Sequence, residues 1–176
     1  ARKKAELIEG DLLFLISCNE ILSYTEQSLF STCLVLHASD LPKGRGWSPH
    51  IWEIIAGCEE ITLSLLEVES TVDTGRVWKK KRIAVPKHAL WNEVNSILFE
   101  AEMELMNFAL ENWETIHPKA QNIDVPPTYY RRRVPNDSEI DPGKSIKSQF
   151  DIIRVCDAER FPAFFKLHGR KYKIIL

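Results

Sequence analysis

The chain has 176 residues, of which 44% are hydrophobic and 27% are charged, a balance typical of a globular protein that buries a core of its own. Its 23 basic and 25 acidic residues give a formal net charge of −2, which argues against a long polyanion such as tRNA or DNA as a partner. The four cysteines form no CxxC pair and show no metal-ligand spacing, so we expect a reduced, cytoplasmic protein that binds no metal. No apolar run reaches the ~20 residues of a membrane span, so we expect no binding to a membrane.

The first elements predict two parallel strands joined by a helix. Residues 11–17 and 33–37 are short, continuous apolar runs, the pattern of strands that are covered on both faces. A segment with helical character around 25–30 separates them, which gives a strand, a crossover and a strand. The carboxyl ends of both strands then meet at the sheet edge where such folds bind their ligands.

The next elements predict a β-hairpin attached to this sheet. After a loop rich in glycine and proline at 41–47, Ser48 and Pro49 predict the start of a helix that runs over 50–56 and ends at a glycine. Alternating apolar residues over 61–69 and 77–85 predict two strands with a turn between them. The basic run 79–82 on the second strand predicts an exposed edge that resists aggregation.

The second half predicts mainly helix and loop. Apolar residues over 88–113 recur at three- and four-residue spacing, which predicts an amphipathic helix of about seven turns. Residues 118–143 are rich in Pro, Asn and Asp and predict an extended loop. A helix over 145–156 and a hairpin with strands at 163–167 and 171–176 complete the expected elements.

Four motifs, in this order along the chain, carry a resemblance to a known family. They are His37-Ala-Ser-Asp-Leu-Pro-Lys-Gly-Arg-Gly46, Val72-Asp-Thr-Gly75, Tyr130-Arg-Arg-Arg-Val-Pro-Asn-Asp-Ser138 and Arg160-Phe-Pro-Ala163. They resemble the His-x-Ser-Leu-Leu-Pro loop, the Asp-x-Gly turn, the Arg-Arg-x-Pro-x-Asp-Ser stretch and the Pro-Ala turn of the formyltransferases that use formyltetrahydrofolate. Asp40 stands where that family usually has a leucine.

The resemblance implies an α/β fold of the Rossmann-like type, with an open, mainly parallel sheet, an attached β-hairpin, a long helix and a small C-terminal extension. Residues 1–116 would be the C-terminal half of the catalytic domain, and residues 117–176 a subdomain of loop, helix and hairpin. Because the chain opens in a predicted helix at residues 2–8 with no strand before it, we expect that the first strands of the family's fold are absent.

A catalytic pair is the central expectation at the site. Formyl transfer needs an acceptor for the proton that the attacking amine loses and a hydrogen-bond donor for the oxyanion of the tetrahedral intermediate. The resemblance implies that His37 and Asp73 form such a pair, within a hydrogen bond or one water of each other. The alternatives are a half-buried histidine at a loop and an ordinary Asp-Thr-Gly turn.

One position departs from the family in a way that concerns the oxyanion. The family has an asparagine two residues before the histidine, where it binds the formyl oxygen, and this chain has Val35. Valine donates no hydrogen bond, so the donor would be a backbone N–H of residues 37–40, the ring of His37 or the hydroxyl of Ser39. Because losing one such donor typically slows an enzyme by ~10² to 10³ without abolishing the reaction, we expect an active enzyme with Ser39 as a third catalytic residue.

The resemblance also implies where the two substrates bind. The pterin ring of 10-formyltetrahydrofolate would lie against residues after the first strand, namely Ser17, Cys18, Asn19, Ile21 and Leu22, unless this segment is a plain strand-to-helix turn. For the acceptor, Arg132 suits phosphate oxygens, Tyr130 suits stacking on a base, and Trp47 would line the pocket. A solvated charge run and a tryptophan that fills the core are the alternatives.

Three functions remain open from the sequence. The leading hypothesis is formylation of the amine of a nucleotide-linked amino sugar. The second is a methionyl-tRNA formyltransferase, a kind of enzyme that carries a C-terminal β-barrel with a basic face; the slightly acidic sequence, with one short hairpin at its end, makes this the weaker hypothesis. The third, suggested by Val35, is a non-catalytic folate-binding or structural relative. The long helix and the final hairpin leave surface for a homodimer.

Overall fold

The computed structural model describes residues 4–18 and 20–176. The strands, in chain order, are β1 (Gly10–Leu15), β2 (Phe30–His37), β3 (Arg45–Gly46), β4 (Glu60–Glu67), β5 (Val77–Ala84), β6 (Tyr129–Tyr130), β7 (Ala163–Leu167) and β8 (Arg170–Ile174). The helices are α1 (Tyr24–Gln27), α2 (Pro49–Ile55), α3 (Trp91–Asn112) and α4 (Ile146–Arg154), with 3₁₀ turns at Lys4–Glu6 and Pro135–Ser138.

The main sheet has the strand order β1-β2-β4-β5. β1 and β2 are parallel, whereas β4 runs antiparallel to both of its neighbours. The predicted α/β class and attached hairpin are therefore confirmed. Within the described strands of this sheet, parallel pairing is limited to β1 and β2, because the hairpin continues the sheet in the antiparallel sense.

The core lies between this sheet and the helices α2 and α3. α3 has 22 residues, and the side chains that it buries recur every three or four positions: Val94, Leu98, Ala101, Leu105 and Ala109. They pack on fully buried leucines of β2 and β4, such as Leu34 and Leu63. Burying each leucine contributes about 1.5–3 kcal/mol, so this layer fixes the sheet edge that carries the site.

Several predicted boundaries are wrong, and each has a local cause. β1 ends at Leu15 instead of residue 17, because Ser17 adopts a left-handed backbone with φ of 50° that a strand cannot continue. α3 begins at Trp91 instead of residue 88, because the Glu93 carboxylate accepts the N–H of Leu90 at 2.8 Å and caps the helix there. The helix predicted over 2–8 is a single 3₁₀ turn in its described part, closed by one bond from the Leu7 N–H to the Lys4 carbonyl.

The segment predicted as an extended loop takes part in two strand pairings. β6 pairs in parallel with β3, and Lys119 forms an isolated antiparallel bridge with Val77 at the start of β5. A two-residue strand carries no periodicity, which is why the sequence did not reveal β6. β6 therefore lies along the loop that follows β2, next to the predicted site, and Lys119 lies at the start of β5.

A buried arginine ties the C-terminal part to the rest of the protein. The guanidinium of Arg154, in α4, donates to the carbonyls of Pro86 and Ala89 and pairs with Asp151 at 2.6 Å. Beyond α4, the hairpin of β7 and β8 turns at His168 and Gly169 as predicted. The boundary near residue 116 stays a prediction. In the part of the chain that is described, no helix is both long and apolar enough to cross a membrane.

Candidate active site

A cavity of about 500 Å³ opens where β1 and β2 end. Its walls come from the segment after β1, the end of β2, the start of α2, the turn between β4 and β5, and one side of α3. Six residues predicted to act on the co-substrate or in catalysis line it together: Ser17, Cys18, Ile21, Leu22, His37 and Asp73. Asn19, the other predicted co-substrate residue, lies outside the described residues. The strand ends therefore bring the two predicted sets to one place.

His37 and Asp73 lie side by side at this cavity, as the sequence predicted. Nδ1 of His37 is 3.5 Å from Oδ1 of Asp73, and both residues are buried. Nε2 of His37 is 2.8 Å from the carbonyl oxygen of Gly44. Both ring nitrogens thus face oxygen acceptors, and the imidazole donates to both only when it carries two protons.

The carboxylate of Asp73 is held by the main chain around it. Its second oxygen, Oδ2, accepts the N–H of Gly46 at 2.8 Å. Its backbone has φ of 59°, a left-handed conformation that aspartate tolerates better than most residues. The side-chain amide of Gln121 donates to the carbonyl oxygens of Asp73 and Gly75. The direction in which the carboxylate faces His37 is therefore fixed from several sides.

Gly75 allows this turn to approach β4 closely. A Cβ atom on Gly75 would lie 1.8 Å from the carbonyl oxygen of Glu67, which is rigid main chain. Gly46 meets a similar limit, because its Cβ would lie 2.5 Å from the carbonyl oxygen of Tyr130. Both glycines of the predicted motifs are thus required for close backbone packing beside Asp73.

We expect Gly75→Ala to lower the free energy of unfolding by about 1–3 kcal/mol, because the turn must move away from β4. Gly10→Ala is the matched control, since its Cβ would meet no atom closer than 3.6 Å. Urea unfolding of both variants measures the difference. Equal stability of the two would contradict the close approach described for Gly75.

The loop after β2 is anchored to residues 128–130 by hydrogen bonds. The N–H groups of Arg45 and Trp47 donate to the carbonyls of Thr128 and Tyr130 at 2.9 and 3.0 Å. The hydroxyl of Thr128 accepts the N–H of Gly44 at 2.9 Å. The carbonyl that contacts His37 therefore belongs to a loop that residues 128–130 hold in place.

Two predicted acceptor residues, Trp47 and Arg132, lie in contact at the surface. Trp47 lines the cavity and is 39% exposed. The guanidinium carbon of Arg132 lies 4.9 Å from the centre of a Trp47 ring, within cation–π range. The guanidinium of Arg132 makes no hydrogen bond or ion pair with the described residues, so its donors are available to a ligand.

The third predicted acceptor residue, Tyr130, stacks on Trp52. Their ring centres are 6.2 Å apart and their planes differ by 6°. The guanidinium carbon of Arg131 lies 4.8 Å from the centre of a Trp52 ring, and Arg131 donates two hydrogen bonds to Asp137. Those bonds lower the pKa of Asp137 to about 2, so the pair is charged at neutral pH and Arg131 is held by the protein itself.

The sequence model of the family described as formyl transferase matches residues 1–110, more than half of the chain. The chain belongs to the formyl transferase family. Among solved structures, a methionyl-tRNA formyltransferase from Clostridium thermocellum is 26% identical with a TM-score of 0.71, and the match covers 90% of this chain and 68% of that one. The predicted resemblance is thereby confirmed.

Two further structures share the fold of this formyl transferase family member. A 4-N formyltransferase from Francisella tularensis is 20% identical with a TM-score of 0.75, over 94% of this chain and 70% of that one. HypX from Aquifex aeolicus, in a variant form, is 19% identical with a TM-score of 0.78, over 92% of this chain and 29% of that one. HypX is also known in complex with tetrahydrofolic acid.

The aspartate that departs from the formyl transferase pattern has a partner across the sheet. Asp40 accepts a hydrogen bond from Nζ of Lys80 at 2.6 Å, and the same ammonium donates to the carbonyl of Leu41. Lys81, next along β5, pairs with Glu104 of α3. The basic run 79–82 is therefore more than the exposed edge that the sequence predicted, because it also fixes the loop after β2.

Asp40 affects a neighbouring acid on α2. Burial, together with the charge of Asp40, raises the pKa of Glu53 to about 7. A carboxyl group whose pKa is higher in the folded state costs stability as the pH rises. The cost is absent below the ordinary pKa of about 4.5, grows between pH 4.5 and 7, and is complete above pH 7.

We therefore expect Glu53→Gln to be about 1–3 kcal/mol more stable than the parent chain at pH 8 and nearly equal to it at pH 4.5. Thermal unfolding at the two pH values measures the difference. Glu114→Gln, an exposed glutamate at the end of α3, is the control. A Glu53→Gln gain that is independent of pH would show that ionisation of Glu53 carries no such cost.

Two of the cavity residues that were not predicted carry buried titratable groups. His50, at the start of α2, and Glu102, on the inner side of α3, both line it. Burial raises the pKa of Glu102, and its carboxyl group has no hydrogen-bond partner among the described residues. A histidine after Ser-Pro and a glutamate in a long helix carry no special pattern, so only the folded chain reveals them. In the described ranges, no group of three or more His, Cys, Asp or Glu side chains could hold a metal ion.

Ser39, predicted as a third catalytic residue, does not line the cavity. It is fully buried, and its hydroxyl oxygen has no hydrogen-bond partner within residues 4–18 and 20–176. Its carbonyl accepts the hydroxyl of Ser64, and its N–H donates to the carbonyl of His37. A catalytic role for Ser39 stays a prediction, without a contact to the cavity in its support.

Proposed function

We propose that this chain transfers a formyl group from 10-formyltetrahydrofolate to the amine of a nucleotide-linked amino sugar. The observation that carries the proposal is the buried pair of His37 and Asp73 on the wall of a cavity that residues 17–22 also line. The cavity volume of about 500 Å³ is in the range of small-molecule sites. Membership of the formyl transferase family supplies the reaction class.

The folate end of the cavity is assigned to the segment after β1. The described residues there are mostly apolar or small, with Leu15, Ile21 and Leu22 at the wall, as suits the flat face of a pterin ring. That a relative of the same fold, HypX, has been crystallised with tetrahydrofolic acid supports a folate as the co-substrate. In the proposed reaction, the amine of the acceptor attacks the formyl carbon. His37, with its own proton on Nδ1 toward Asp73, takes up the proton that the amine loses at Nε2, which gives up its contact with the Gly44 carbonyl as the amine approaches.

The acceptor end is assigned to the surface around Trp47. Arg132, which makes no hydrogen bond or ion pair with the described residues, can donate to phosphate oxygens, and the Trp52–Tyr130 stack offers aromatic faces for a base. The net charge of −2 gives no field to hold a whole tRNA. These features favour a small nucleotide-linked acceptor over methionyl-tRNA.

A transfer assay tests the proposal. The chain is incubated with 10-formyltetrahydrofolate and each of a set of uridine- and thymidine-diphosphate amino sugars, and with methionyl-tRNA, and the products are weighed by mass spectrometry. We expect a gain of one formyl group on at least one amino sugar and none on the tRNA. Formylation of the tRNA alone would reverse the assignment of the acceptor, and folate binding without any transfer would identify a non-catalytic relative.

We expect Arg132→Ala to raise the KM for the nucleotide sugar by tenfold or more while kcat changes little. A charge-assisted hydrogen bond to phosphate contributes about 1.5–3 kcal/mol to binding, and this contribution is the same in the ground state and the transition state. Arg170→Ala, an exposed arginine of the C-terminal hairpin, is the matched control. An unchanged KM would move the phosphate site away from Arg132.

A further inference from the structure

His50 is an imidazole at the cavity with unused hydrogen-bonding capacity. It is the second residue of α2, directly after Pro49, and its ring lines the cavity that contains His37. Its Nδ1 is buried and has no hydrogen-bond partner, and Nε2 likewise has no protein partner among the described residues. A buried polar group without a partner destabilises the folded protein, a cost that a ligand hydrogen bond would offset.

The ring of His50 is neutral at physiological pH. Burial, reinforced by the nearby His37, lowers its pKa to about 4. A neutral imidazole has one N–H donor and one lone pair. It can therefore donate its one N–H to a developing oxyanion while the ring stays neutral, as neutral histidines do in other active sites.

Several other candidates for the oxyanion donor are occupied or out of reach. Val35, on the same cavity wall, has no donor. The hydroxyl of Ser39 does not reach the cavity, and the Ser39 N–H already donates to a carbonyl. Nε2 of His37 faces the carbonyl of Gly44 at 2.8 Å. Among these side chains, His50 alone has a free N–H.

We propose that His50 donates its N–H to the formyl oxygen and so takes the place of the side-chain donor that Val35 cannot provide. The inference rests on the proposed function. When the amine attacks, a bond forms between its nitrogen and the formyl carbon, and the carbonyl electron pair moves onto the oxygen that His50 holds. The oxyanion then collapses, the bond from carbon to N10 of the folate breaks, and N10 receives the proton that the amine lost. The products are the formamide and tetrahydrofolate.

The first test measures recognition of the formyl group without turnover. The probes are 10-formyl-5,8-dideazafolate, measured without an acceptor amine so that no transfer takes place, and 5,8-dideazafolate, which lacks the formyl group. We expect the parent chain to bind the formylated probe more tightly, and His50→Ala to lose that preference while it binds the unformylated probe as before. His88→Ala, an exposed histidine before α3, is the control. A preference that survives in His50→Ala would overturn the role of His50 and leave the proposed function intact.

The second test is rescue of catalysis. We expect His50→Ala to lower kcat by ~10² to 10³, and His50→Gln, which keeps an N–H donor, to lower it less. Val35→Asn should restore part of the lost kcat in the His50→Ala background but raise it little in the parent chain, because only one donor position is vacant. Equal kcat in His50→Ala and the parent chain would overturn the inference. A parent chain that neither binds the folate probes nor transfers a formyl group would instead overturn the proposed function, and this inference with it.

Discussion

His37→Ala should lower kcat by about 10² to 10⁴ and leave the KM of both substrates within a few-fold of the parent values. The histidine acts on the proton that leaves the amine, and that proton moves only in the transition state, so ground-state binding is spared. Steady-state kinetics with the formylated amino sugar as product measure both constants. His88→Ala provides the matched control for the loss of an imidazole.

The separation of the two constants is what makes this expectation specific. If His37→Ala kept its kcat and raised KM, the histidine would bind a substrate and would not handle the proton. If the variant failed to fold, the loss would follow from the broken contacts to Asp73 and Gly44, and His37→Gln, which keeps similar length and a donor, would then distinguish folding from chemistry.

Asp73→Asn should lower kcat by about 10² to 10⁴ although it preserves the shape of the side chain. An amide has one oxygen acceptor, and the N–H of Gly46 requires it, so the NH₂ group turns toward Nδ1 of His37. The ring must then accept at Nδ1 and carry its proton on Nε2, where it donates to Gly44. No lone pair is left to take the proton of the amine.

Circular dichroism melting and steady-state kinetics check this expectation together. The folded fraction should be close to that of the parent chain, because the acceptor for Gly46 is retained. Asp124→Asn, an exposed aspartate in the loop before β6, is the control. A folded Asp73→Asn protein with normal kcat would mean that the tautomer of His37 does not limit the reaction.

The pair of His37 and Asp73 could be predicted from the sequence for a topological reason. His37 is the last residue of β2, and Asp73 lies in the turn between β4 and β5. When β4 pairs with β2 in a register that sets His37 opposite Ser64, the turn returns to the same sheet edge. Local patterns therefore determine this part of the site, and motif spacing identifies it.

Other parts of the site depend on packing that no local pattern encodes. Ser39 is a candidate oxyanion donor by its place in the sequence, yet Gly44 packs against it so closely that a Cβ on Gly44 would lie 2.7 Å from the Ser39 side chain. Asp40 accepts a hydrogen bond from Lys80, which is forty residues further along the chain. The position of His50 follows from the direction in which α2 leaves the loop. These features arise from the tertiary structure and could not be predicted from spacing.

The pairing of β3 with β6 has a consequence for how this protein can change its acceptor. The two strands are joined by main-chain hydrogen bonds, which make few demands on side-chain identity. Mutations at the outward-facing positions of residues 129–132 can therefore accumulate without loosening the loop that holds His37 and Asp73. In the function proposed above, the choice of amine is thus separable from the chemistry, and substitutions at this surface would change the acceptor while His37 and Asp73 keep their places.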